Sequence, residues 1–132
     1  MESVKKFTID GNSIFDIPSF YKEVNREFMK NEDWNIAENL DALNDLFYGG
    51  FGELKSIEAC DLVWKNIAKN KTDLGRQTTI EFYKNKLKKP SIYNTVFIKK
   101  KLAELEQGQG KTYFDIIMEI IENHPQINLI EA

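Results

Sequence analysis

Three short apolar segments, separated by stretches with helical periodicity, limit the folds that this chain can adopt. They cover residues 7–9, 57–64 and 127–130, and turn-forming residues follow the first and precede the last. Strands that are separated by helices favour a parallel sheet with right-handed crossovers. The predicted fold class is therefore α/β, with a small three-stranded parallel sheet packed with helices.

Capping residues mark the predicted helices. Asp16 can cap a first helix, and Asn39 can cap a second one that ends at Gly49, because glycine readily adopts the left-handed exit conformation. Thr112 and Asp115 form a capping-box pattern at the start of the last helix. These signals predict where three helices begin.

The middle of the chain carries two weaker helical patterns and most of the basic residues. The patterns cover 73–89 and 94–106, with Pro90 between them. Residues 63–111 hold 12 basic and 4 acidic side chains, whereas residues 1–62 hold 6 basic and 13 acidic ones. This segregation bears on partners and association rates, although solvated helix faces would explain the basic segment equally well.

Length and cysteine usage indicate one cytoplasmic domain. The 132 residues suit a single hydrophobic core. Cys60 is the only cysteine, so no internal disulfide can form, which favours a reducing compartment. No apolar run approaches the roughly 20 residues that span a bilayer, and no signal-peptide pattern is present at the start, so we expect no membrane partner.

The residues show little sign of catalysis. His124, the only histidine, precedes Pro125 at a predicted helix end, where it can act as a cation at the helix C-terminus. Cys60 lies in an apolar segment and is expected to be a core thiol. The sequence has no phosphate-binding glycine loop, metal-ligand spacing or nucleophile elbow. We therefore predict a protein that is not an enzyme and holds no cofactor or metal.

The second predicted helix carries an unfavourable arrangement of charge. Asp41, Asn44 and Asp45 share its polar side, with Tyr48 one turn further along. Asp41 gains from the positive helix N-terminus, but Asp45 repels it by about 0.2–0.5 kcal/mol in an exposed helix. Two like charges one turn apart destabilise a helix, and no structural benefit that would offset this is evident in the sequence. Such an arrangement indicates function, although a solvated polar face is the simpler interpretation.

The same helix resembles the signature of the barstar family of ribonuclease inhibitors. The resemblance lies in Glu-Asn-Leu-Asp-Ala-Leu-Asn-Asp-Leu at 38–46, followed by Gly-Gly-Phe-Gly at 49–52. Residues 8–11, 62–64 and 117–132 agree with the family's opening strand, second strand, and last helix and strand. The match covers roughly two-thirds of the chain.

The resemblance implies a single barstar-like domain over 1–132, with a basic helical insertion at about 66–110, where the prototype is shorter. It implies an inhibitor of toxin-immunity type for a basic, extracellular-type ribonuclease or nuclease toxin. In the family, carboxylates enter the nuclease active site, so we expect the insertion to lie away from the acidic face. The implied partner-binding residues are Asn35, Asp41, Asn44, Asp45, Gly49 and Glu119.

This chain departs from the prototype at three positions where the prototype has aromatic residues. These positions are Asn35, Asn44 and Gly50, and Trp34 is adjacent to the first. Aromatic anchors often dominate interface energy. The departures therefore indicate a target nuclease other than that of the prototype.

Two other classes of function remain open. The alternative is a nucleic-acid-binding module on the basic segment 65–111, with lysines on phosphates and Tyr83, Tyr93 and Phe97 stacked on bases. Packing of these aromatic residues between the inserted helices is the simpler interpretation. A carboxylate-based hydrolase is supported only by the abundance of acidic residues.

Overall fold

The computed structural model describes residues 4–89 and 94–132, and Pro90 lies outside them. Within the described residues the chain forms three strands and six α-helices. In chain order these are β1 Lys5–Asp10, α1 Ile17–Phe28, α2 Leu40–Tyr48, β2 Cys60–Lys65, α3 Ile67–Asp73, α4 Arg76–Leu87, α5 Thr95–Glu106, α6 Tyr113–Glu122 and β3 Ile127–Glu131. The predicted α/β class is confirmed.

The three strands form one parallel sheet, as predicted, and β2 lies in its centre. Phe7 of β1 is level with Leu62 of β2, which is level with Leu129 of β3. Phe7 and Leu62 are buried, and the ring of Trp64 is fully enclosed. A central strand with so many buried residues fits a parallel sheet that is covered by helices.

The central strand is shorter than the predicted segment 57–64. Ser56 has a left-handed φ of 65°, and the Ile57 N–H donates to the Leu54 carbonyl at 3.1 Å, so the chain is still turning there. The strand begins only at Cys60. The apolar Ile57 packs against the core from the turn, which explains why the prediction was wrong at this end.

The predicted capping groups of the first and last helices make the expected hydrogen bonds. The Asp16 carboxylate accepts from the Ser19 N–H at 2.8 Å. The Thr112 hydroxyl accepts from the Asp115 N–H at 3.1 Å, and the Asp115 carboxylate accepts from the Thr112 N–H at 3.0 Å. Both helix starts are thus confirmed, because each cap depends only on residues within one turn.

The helix predicted at 73–89 is wrong at its start, because α3 and α4 meet at Gly75. A Cβ at Gly75 would lie 2.8 Å from the Lys71 carbonyl oxygen, so the close approach of the two helices requires glycine. Helix α3 was not predicted because it has no apolar stripe. It buries one apolar residue, Ile67, and one polar residue, Asn70.

The fully buried side chain of Asn70 joins α3 to the sheet. Its Nδ2 donates to the carbonyls of Gly11 and Ile14, at 3.1 and 3.2 Å, in the loop after β1. Its Oδ1 accepts from the indole N–H of Trp64 at 2.7 Å. Gly11 leaves room for this contact, since a Cβ there would come within 2.5 Å of Asn70 Oδ1.

Helices α4 and α5 form an antiparallel hairpin that is attached to α6. The Arg76 Nε donates to the Leu105 carbonyl at 2.6 Å, which joins the start of α4 to the end of α5. The Thr79 hydroxyl accepts from the Tyr113 N–H at 2.7 Å, and the rings of Phe82 and Tyr113 pack edge to face at 5.1 Å. The small core of the hairpin consists of Ile80, Tyr83, Ile98 and Leu105.

We predict that Asn70→Ala lowers the free energy of unfolding by about 2–4 kcal/mol, because it leaves the buried Trp64 indole N–H without its acceptor. The Gly11 and Ile14 carbonyls also lose one of their donors, but they keep the Ile14 N–H and the Lys69 ammonium group. Urea denaturation measures the change. Asn128→Ala is the matched control: this exposed amide donates to the Asp61 carboxylate at 3.0 Å, and its loss should change stability by less than about 0.5 kcal/mol. Equal effects of the two substitutions would contradict the role given to Asn70.

Candidate protein-binding surface

Helix α2 exposes its polar side to solvent because its apolar side packs in the core and both of its ends are fixed by capping residues. The Asn39 Oδ1 accepts from the Ala42 N–H at 2.7 Å, and Gly49 ends the helix with a left-handed φ of 85°. Both predicted ends are confirmed. The buried residues of its apolar side are Leu43, Leu46 and Phe47. This arrangement leaves Asp41 and Asp45 exposed on the opposite side.

The two exposed carboxylates differ in their surroundings. Within the part of the chain that the structure describes, no hydrogen bond or ion pair engages the Asp45 carboxylate. Asp41 lies near Lys86 of α4: burial lowers the pKa of this lysine, and the Asp41 charge opposes that shift. The end of α4 is therefore close to the start of α2. The expectation that 66–110 lies away from the acidic face is wrong at this point.

The loop before α2 is fastened to neighbouring elements. The Asn25 Oδ1 on α1 accepts from the Ile36 N–H at 2.9 Å. The ring of Trp34 packs against that of Phe51, with 4.9 Å between the centroids. Asn35 is exposed between these two attachment points. The chain segment that leads into the acidic helix is thus positioned before any partner binds.

Asn44, a predicted contact residue, makes a hydrogen bond inside the protein. Its Oδ1 lies 2.8 Å from the Nε2 of His124, and because an amide oxygen only accepts, this ring nitrogen carries the proton. His124 is buried, and burial lowers its pKa. The predicted role of His124 as a cation at the helix end is therefore wrong, because the buried ring is neutral near neutral pH. The hydrogen bond between His124 and Asn44 joins the end of α6 to α2.

Two other predicted contact residues also have partners within the chain. Gly49 is half-buried, and a Cβ there would lie 3.1 Å from the Leu54 carbonyl oxygen. The Glu119 carboxylate pairs with the Lys111 ammonium group at 2.5 Å on the surface, which raises the pKa of that lysine. An exposed pair of this kind adds little stability. Glu119 can therefore exchange Lys111 for a cation of a partner, whereas Gly49 shapes the backbone.

Two large aromatic side chains that are absent from the predicted contacts are exposed, one at the end of α2 and one in the loop before it. Tyr48 is 71% exposed, with its ring edge to face against His124 at 4.6 Å, and Trp34 is 47% exposed. Tyr48 follows Asp41 by two helical turns on the polar side of α2, a spacing that the sequence already shows. Exposed tryptophan and tyrosine are typical of binding hot spots.

Groups suited to catalysis are scarce in the part of the molecule that the structure covers. Cys60 is buried, and burial raises the pKa of its thiol, which disfavours the reactive thiolate. Among residues 4–89 and 94–132, no group of three or more His, Cys, Asp or Glu side chains could hold a metal ion. No helix found in these same ranges has the length and apolar character needed to cross a membrane.

Comparison of the chain with protein-family models, with curated proteins and with solved structures finds no match. What the surface can bind is therefore argued from its own residues. It offers exposed carboxylates on a fixed helix and two exposed aromatic rings. A partner with cationic side chains and an apolar recess would complement these groups.

We predict that His124 makes the folded protein less stable as the pH falls below about 6.5. Burial holds its folded-state pKa below the ordinary value of 6.5, so the unfolded chain takes up the proton first. The stabilisation is complete above pH 6.5 and is lost as the pH falls through the folded-state pKa. His124→Gln keeps an N–H donor for Asn44 and should remove this component. Urea midpoints from about pH 5 to 8 measure it, and parallel profiles of the two proteins would contradict it.

Proposed function

We propose that this protein inhibits a basic ribonuclease or nuclease toxin by placing helix carboxylates in the cationic active site. The proposal rests on the barstar-like motif of α2 and on the exposure of Asp41 and Asp45. A site that binds RNA phosphates carries arginine, lysine or histidine side chains, and carboxylates on a rigid helix can bind those groups. In this role the protein blocks access to the site and needs no chemistry of its own.

The Asp45 carboxylate is the observation that carries the proposal. It is exposed, lacks a partner among the described residues, and lies one helical turn from Asp41. Like charges at this spacing destabilise a helix, and the position of Asp45 beyond the first turn gains little from the helix dipole. A cationic partner would turn this unfavourable pair into a binding site. An acidic residue kept for stability would instead have a cation or N–H group beside it.

The exposed aromatic residues bear on which nuclease is bound. Asn35 and Gly50 stand where the prototype of the family has aromatic residues, while Trp34 and Tyr48 are exposed nearby in the sequence. Aromatic side chains that enter a partner's pocket contribute much of the energy of an interface. We therefore expect a target whose apolar recesses are placed differently from those of the prototype's nuclease.

The alternative of a nucleic-acid-binding module has less support. Of the three rings proposed to stack on bases, Tyr83 is only 8% exposed and packs inside the hairpin. Tyr93 lies outside the described residues, and Phe97 is exposed. A stacking platform needs accessible ring faces. Of the candidate rings that the structure describes, one, Phe97, is exposed beside the lysines of 65–111. This is weak support for a surface on which bases stack.

We predict that Asp45→Ala weakens binding to the target nuclease by at least about 2 kcal/mol, the threshold of a hot spot. The stability of the free protein should stay within about 0.5 kcal/mol of the wild type or rise, because alanine removes the repulsion and favours the helix. The measurements are the inhibition constant against a panel of basic microbial ribonucleases and the urea midpoint of the free protein.

Glu106→Ala is the control for the loss of one negative charge. Glu106 is exposed at the end of α5, and among the described residues its side chain has no hydrogen bond or ion pair. Its backbone carbonyl accepts from the Arg76 guanidinium at 2.8 Å. This variant should bind the nuclease like the wild type. A lower urea midpoint for Asp45→Ala with unchanged inhibition would remove Asp45 from the interface. Failure of every basic ribonuclease to be inhibited by the wild type would count against the proposed function itself.

We predict that association with the nuclease slows as salt is added, while dissociation changes much less. Attraction between the acidic surface and a basic enzyme acts at long range and is screened over about 8–10 Å at physiological ionic strength. Stopped-flow mixing at several salt concentrations measures both rates. An association rate that does not depend on salt would show that electrostatic attraction does not guide the encounter.

A further inference from the structure

The charges of the α4–α5 hairpin are sorted along its length. Because the start of α4 contacts the end of α5, the other two helix ends together form the tip of the hairpin. The acidic residues of the hairpin, toward its base, are Glu81, Glu104 and Glu106. No Asp or Glu occurs from 82 to 101. The exposed lysines toward the tip are Lys84, Lys88, Lys89, Lys99 and Lys100.

Two apolar side chains are exposed in the same region. Val96 is 79% exposed and Phe97 is 52% exposed, both in the first turn of α5. The inward side of α5 is already occupied, since Ile98 and Leu105 fill the small core of the hairpin. Val96 and Phe97 therefore make no contribution to that core. Only the tertiary structure brings them together with lysines from both helices.

We propose that the tip of this hairpin docks on an anionic lipid surface. The exposed lysines would bind anionic headgroups, and Val96 and Phe97 would enter the interfacial region between headgroups and acyl chains. We expected no membrane partner from the sequence because no apolar run approaches the length that spans a bilayer, but docking on a lipid surface needs no such run. The proposal concerns a different surface from α2 and does not depend on nuclease inhibition.

The composition of the tip favours lipid over RNA. Its exposed basic residues are all lysines, which act as point charges, whereas specific recognition of nucleic acid favours the planar guanidinium of arginine. The Lys101 ammonium group lies 5.3 Å from the centroid of the Phe97 ring, so one face of that ring is occupied. Val96, the more exposed of the two apolar residues, cannot stack on a base. It can be buried in a lipid interface.

The net charge of −3 does not prevent this docking. Charges separated by more than a screening length of about 8–10 Å have little effect on one another at physiological salt. The local charge of the tip therefore decides whether an anionic surface attracts it, and this local charge is positive. The acidic surface of α2 comes close to the hairpin at one point, where Asp41 lies near Lys86, and the five exposed lysines of the tip keep it positive there.

Flotation or co-sedimentation with lipid vesicles tests the proposal. The full chain is mixed with vesicles of phosphatidylcholine and phosphatidylglycerol, with vesicles of phosphatidylcholine alone, and with single-stranded RNA in a separate arm. We expect binding to the mixed vesicles at low salt, much weaker binding to the neutral vesicles, and weaker binding to RNA. Binding to the mixed vesicles should fall as salt rises.

Two double variants separate charge from apolar contact. Lys99→Gln with Lys100→Gln should weaken binding about 25-fold, at roughly fivefold per lysine. Val96→Ser with Phe97→Ser should weaken it at least about tenfold through the lost apolar burial. The control Lys22→Gln with Lys55→Gln removes the same two positive charges from exposed lysines outside the hairpin. It should bind the mixed vesicles within about twofold of the wild type.

Urea midpoints equal to that of the wild type show that the variants are folded. Absence of binding to the mixed vesicles at low salt would overturn the proposal. So would unchanged binding after the Val96 and Phe97 substitutions, because charge alone would then explain it. Tighter binding to RNA than to vesicles would overturn it in favour of a nucleic-acid surface.

Discussion

The position of the acidic helix depends on how the sheet is held, and the buried amide of Asn70 is central to that. Its amide nitrogen reaches two backbone carbonyls after β1 and the Asp73 carboxylate at 3.0 Å, while its oxygen holds Trp64. Trp64 in turn packs between Phe20 and Phe114, at 5.8 and 5.7 Å, and so links α1 to α6. A polar side chain can be fully buried here because all its hydrogen-bonding groups are satisfied.

The acidic residues of α1 and those of α2 have different roles. Glu27 and Glu23 on α1 accept the N–H groups of Thr8 and Asp10, at 2.6 and 2.7 Å, along the free edge of β1. The buried Glu23 also holds Arg26 through two contacts of 2.7 Å. These carboxylates close an edge that could otherwise pair with another strand. The exposed Asp45 carboxylate of α2 has no partner among the described residues, and our proposal assigns it to a partner protein.

The basic hairpin is built into the fold rather than appended to it. Its Thr79 hydroxyl takes the N–H of Tyr113 while donating to Gly75, and the hydroxyls of Tyr113 and Tyr21 lie 2.5 Å apart in the core. Removal of the hairpin would expose these groups. Its lysines also meet the acidic surface at one point, through Lys86 beside Asp41. The two charged surfaces are therefore neighbours that can still face different partners.

The sequence by itself determined the parts of this protein that depend on neighbouring residues. The caps at Asn39 and Thr112 could be predicted because each is set by residues within one turn. The parallel sheet could be predicted because its strands are separated by helices, whereas α3, which has no apolar stripe, could not. The sequence also placed Asp45 on the polar side of α2. It could not show that Asn44 is taken by His124, since the two are 80 residues apart and their contact exists only once α6 packs on α2. Only the tertiary structure decided which polar groups are occupied inside the protein and which remain free for a partner, because hydrogen bonds and burial between distant segments leave no local pattern.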